Sequence, residues 1–114
     1  MEDYKNINNI LKDVCDAKEA SILNKTYRVK NLSMRTLAFI LLEIGKVKKE
    51  DLDNNIYIAT IPSGIAKKNN AVFAIELSDN ILKVAASAAE GLIKQHTREG
   101  AVDEFERHLS QYIE

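Results

Sequence analysis

The sequence predicts an α+β fold in a single domain, residues 1–114. The expected form is a small antiparallel sheet, a hairpin with a possible short extra strand, packed by about four helices. Three observations lead there. Ile56–Ile61 and Ala71–Leu77 are rich in β-branched and aromatic residues and read as two strands of a hairpin. Ile81 to Ile93 carries apolar residues at i, i+1, i+3 and i+4 around Ala85 and Ala88, the spacing of a helix with one wide buried face. A chain of 114 residues, 46% hydrophobic and 29% charged, can bury one core without metals or disulfides.

The elements follow in chain order. Residues 3–19 place Ile7, Ile10, Leu11 and Val14 on one face of an amphipathic helix. Tyr27-Arg28-Val29-Lys30 alternates apolar and basic residues, as a half-buried strand or an extended linker would. Ser33 suits the N-cap of a second helix, because its hydroxyl can accept from an orphaned backbone amide. That helix, through Leu37 to Ile44, is apolar nearly all round and is expected to be the most buried element. Gly45 follows as a left-handed cap. Lys46, Lys48 and Lys49 sit where cations favour the negative helix end.

Pro62-Ser63-Gly64 and Asn69-Asn70 are turn-formers between the two strands. Pro62 cannot donate to a ladder and belongs at a bulge, a loop or an outer edge. Ser78-Asp79-Asn80 is read as the cap of the alanine-centred helix. His96 to Gly100 forms a joint before a last helix, striped with Val102, Phe105, Leu109, Tyr112 and Ile113. A lone hairpin is marginal in water, so the two strands need helices, the Tyr27 segment or another chain to cover them.

Charge is uneven along the chain. Residues 25–68 hold nine basic residues against four acids, net +5, between a −2 segment before and a −4 segment after. The total of −1 excludes a globally basic nucleic-acid binder. Within the basic middle, Lys46, Lys48, Lys49, Lys67 and Lys68 are the candidate contacts for an anionic partner, with Arg28 and Arg35 as additions. Leu37 to Leu52, an apolar helix, a glycine and then Val47-Lys48-Lys49-Glu50-Asp51-Leu52, resembles the start of a winged-helix protein. The resemblance implies a recognition helix next, whereas Asn54-Asn55-Ile56-Tyr57-Ile58 is strand-like.

Chemistry is sparse. Cys15 is the sole cysteine, so no internal disulfide forms and a reducing compartment is the simplest setting. It has no CxxC partner or adjacent histidine to activate it. Glu104 and His108 share a helix face, but two ligands make no metal site. The glycines form neither GxGxxG nor GxxxxGK[ST], and no cofactor is expected. Met1-Glu2-Asp3-Tyr4 lacks the features of a signal peptide. No apolar segment is long enough to cross a bilayer, so a cytoplasmic location is expected. The leading functional expectation is a small cytosolic interaction or regulatory module without catalysis that self-associates, its partner a second copy in a homo-oligomer or another protein. A nucleic-acid-binding module using residues 25–68 is the alternative. An enzyme with a site assembled from His96, His108 and Cys15 comes third.

Overall fold

A computed structural model of the protein describes residues 3–63, 69–88 and 96–114. Among these residues, three α-helices accompany one five-stranded antiparallel sheet. In chain order the elements are α1 (Lys5–Cys15), β1 (Leu23–Arg28), α2 (Met34–Ile44), β2 (Lys46–Asp51), β3 (Ile56–Ser63), β4 (Asn69–Ser78), β5 (Ile81–Ser87) and α3 (Thr97–Leu109). The strands lie in the order β1-β5-β4-β3-β2. Since every neighbouring pair is antiparallel, the two outer strands run the same way. The α2 helix carries the chain from one edge of the sheet to the other.

The helices and the sheet make three layers. Against α2 and α3, the sheet presents Tyr27, Leu82, Val84, Ala86, Phe73, Ile75, Tyr57, Ala59 and Ile61, which join Leu37, Leu41, Phe105 and Leu109 in the main core. Phe73 and Phe105 meet edge to face with centroids 5.9 Å apart, a favoured aromatic geometry. On the opposite face Ile7 and Leu11 of α1 pack on Ala74 and Ala85, which pair across β4 and β5.

Several expectations hold. The β3–β4 hairpin is present. Ser33 caps α2 by accepting from the Thr36 amide at 3.0 Å. The last helix starts at Thr97 rather than after Gly100 and buries Val102, Phe105 and Leu109 as one stripe. It ends at Leu109, so Tyr112 falls in a 3-10 turn and Ile113 in a bridge to Val29 instead of on the helix. Pro62 lies where β3 has run past Lys46, the first residue of β2, so one flank carries no ladder. The first helix ends at Cys15, short of residue 19, because Asp16 turns left-handed and its amide closes on the Lys12 carbonyl.

The expected hairpin with about four helices is corrected by the sheet itself. Ile81–Ser87 is a strand and no helix forms there, while residues 89–95 lie outside the described set. Asp79 and Asn80 both have positive φ, 51° and 63°, the backbone of a two-residue hairpin turn. They reverse β4 into β5 and do not cap a helix. Tyr27 belongs to a full edge strand, and Lys46–Asp51 is strand as well, so no recognition helix follows α2. Asn69 and Asn70 begin β4 and are not turn residues.

Gly45 is also corrected. Its φ of −169° is extended, and glycine is required for a different reason: a Cβ there would overlap the Thr60 carbonyl oxygen of β3.

Candidate docking surface

Of the five expected anion contacts, the structure places three. Lys46, Lys48 and Lys49 lie on β2, the outermost strand, and all are exposed. Lys67 and Lys68 lie outside the described residues. Lys46 pairs with Thr60 and Lys49 with Ile58, with a register shift between them that leaves Lys48 in a bulge. Charged residues and a bulge on an outer strand discourage a second sheet from adding there. Glu50 and Asp51 continue the same strand, so the edge is mixed in charge. The three lysines thus occupy a guarded edge strand, and two of them, Lys46 and Lys48, also line a groove beside the end of α2.

Among the described residues no hydrogen bond or ion pair joins the catalytic candidates His96, His108 and Cys15 to one another. His96 and His108 stand at opposite ends of α3, roughly 18 Å apart at 1.5 Å per residue. Cys15 ends α1, on the other face of the sheet. Its thiol donates to the Leu11 carbonyl at 3.3 Å, and burial raises its pKa, which works against a reactive thiolate. Among the described residues no group of His, Cys, Asp or Glu could hold a metal ion, and no helix is long and apolar enough to cross a membrane.

Between α1 and β1 the polar groups satisfy one another. Asn8 and Asn24 exchange amide hydrogen bonds at 3.2 and 2.8 Å. The Tyr4 hydroxyl bonds Thr26 Oγ1 at 2.6 Å, and Lys12 pairs with Glu19. The side-chain bond from Lys12 holds the Glu19 carboxyl below its usual pKa. This seam orients α1 on the sheet.

The feature left over is the outer face of α2. Leu37, Ile40 and Leu41 are buried, but Phe39 and Leu42 are 60% and 59% exposed. The helix expected to be most buried thus presents two large apolar side chains to solvent. The Arg35 guanidinium lies 5.9 Å from the Phe39 ring centroid, and Glu43 is exposed one turn beyond Phe39. Beside the end of the helix a shallow groove is lined by Leu42, Ile44, Lys46, Lys48, Thr60 and Pro62. The other large exposed apolar side chains among the described residues, Val14 and Leu52, stand singly on α1 and in the β2–β3 turn.

A signal for this face was present in the sequence. Arg35, Phe39 and Glu43 are spaced i, i+4, i+8, one stripe of a helix. Two charges on that stripe mark it as the outward side. No family model, no curated protein and no solved structure matches this chain at a significant level.

Proposed function

We propose that this chain is a small protein-interaction module that self-associates through the outer face of α2. The observation carrying the reading is the pair Phe39 and Leu42, close together on one helix and more than half exposed. Neighbouring apolar side chains left in water are characteristic of interaction surfaces, whereas single ones are ordinary. The sheet edges are poorer candidates. Lysines and a bulge guard β2. Part of β1 is covered where Val29 bridges Ile113 and the Glu114 amide donates to the Arg28 carbonyl.

The nucleic-acid alternative has weaker support. The lysines of β2 run into Glu50 and Asp51, and no aromatic stands on that strand for base stacking.

Sedimentation velocity across a wide concentration range tests the reading. The wild type should move from 12.8 kDa toward twice that mass, and Phe39→Ser or Leu42→Ser should remain at the lower mass. A wild type that stays monomeric at high micromolar concentration removes the proposal.

A further inference from the structure

We infer that the assembly is a closed twofold dimer in which two α2 helices lie antiparallel, Phe39 packs on Phe39, and Arg35 of each copy pairs with Glu43 of the other. This arrangement rests on the docking surface proposed above and specifies its occupant, symmetry and register.

The outer face of α2 is complementary to itself. In a twofold contact each residue meets the position reflected through the axis. With the axis beside Phe39, position 35 meets position 43, and position 36 meets position 42. Arg35 then faces Glu43, and Leu42 lies over Thr36 and the Arg35 stem. Arg35, Phe39 and Glu43 are all exposed, and Thr36 is half-buried, so both copies supply these side chains without unfolding anything.

Two competing arrangements bury the same apolar atoms and fail on charge. A parallel pair sets Arg35 against Arg35 and Glu43 against Glu43. An antiparallel pair shifted to place Phe39 on Leu42 leaves Glu43 opposite Ala38. It also moves Arg35 toward the start of β2, where Lys46 and Lys48 are exposed. Like charges brought together at a contact select against that register. Of these three arrangements, the Phe39-centred antiparallel pair alone neutralises both ends.

The size of the face sets the strength. The α2 helix has 11 residues, about 16 Å of helix, and so presents a contact at the small end of specific interfaces. A weak dimer is expected, with half-association in the micromolar range. The contact is isologous and uses the patch of both copies, so growth stops at two.

Charge-swap mixing of the full chain at low ionic strength tests this. Arg35→Glu alone and Glu43→Arg alone should each weaken self-association by roughly tenfold, since two ion pairs become two repulsions. An equimolar mixture of the two variants should associate at least as well as wild type. One chain then carries carboxylates at both positions and the other carries guanidinium groups at both, so each contact regains an opposite pair. Positions 35, 39 and 43 are exposed, so circular dichroism, and the urea midpoint taken at a concentration where every variant is monomeric, should show an unchanged fold. If the charge variants associate like wild type while Phe39→Ser does not, the register is wrong and the α2 surface stands. Should Phe39→Ser associate normally, or the wild type prove monomeric throughout, the surface and the dimer both fall.

Discussion

The two tyrosines of the main core carry their hydroxyls differently, and the difference is measurable. The Tyr27 hydroxyl is buried with no hydrogen-bond partner among the described residues. Burial first, and then the nearby Glu106 carboxylate, pushes its pKa well above the ordinary value. The folded state holds Tyr27 protonated at pH values where the unfolded chain, with a tyrosine pKa near 10, releases its proton. Stability from this group is therefore complete below about pH 10 and lost as pH rises beyond it, by up to about 1.4 kcal/mol per pH unit. Tyr27→Phe should change stability by less than about 1 kcal/mol at neutral pH, because no good bond is lost. The same variant should flatten the alkaline decline in urea midpoints. Tyr57 offers the contrast. Its hydroxyl donates to the Met34 carbonyl at 2.9 Å, so Tyr57→Phe should cost about 1 kcal/mol at neutral pH in the same measurement. At Gly45, an added methyl meets a backbone oxygen of β3 that has nowhere to go. Gly45→Ala should destabilise by about 3 kcal/mol, read as a lowered thermal midpoint.

Among the elements, β5 shows why some of the fold was legible and some was not. The cap at Ser33, the β3–β4 hairpin and the stripe of α3 each depend on a local signal: a hydroxyl before an apolar run, β-branched runs, and residues spaced three or four apart. The β5 strand has apolar residues on both faces, because Leu82, Val84 and Ala86 meet one core and Ala85 meets the other. Burial on both sides erases the period-two signal of a strand and leaves an apolar run that fits a helix as well. The Asp79-Asn80 turn was the available clue. The alanines do serve close approach, though in the sheet, where Ala74 and Ala85 provide a shallow floor for Ile7 and Leu11 of α1. Ala85→Leu should accordingly lift α1 and cost about 1–3 kcal/mol by overpacking, seen as a lower thermal midpoint. The exposed side of α2 was hidden by similar logic, since an apolar tally ignores the charges that share a stripe with Phe39.

At the scale of the whole molecule, the sheet is shielded on both faces and both outer edges are at least partly obstructed. This moves the association question from strands to helices. If Lys46, Lys48 and Lys49 guard β2, replacing all three with threonine should leave the fold intact and increase turbidity on prolonged incubation. The wild-type thermal midpoint should rise with protein concentration, because a dimer stabilises its folded protomers by mass action. Phe39→Ser should remove that dependence.

The closing of β1 against β5 joins Leu23 to Ala86 and Arg28 to Ile81, and a bridge joins Val29 to Ile113. A nascent polypeptide emerging from the ribosome carries β1 long before its neighbour in the sheet exists. Synthesis must pass Ser87 before that strand can zip shut against its partner. Such non-local wiring slows folding in comparison with a helical bundle of equal length. The newly made protein therefore holds β1 without its partner strand until residues 81–87 have been synthesised.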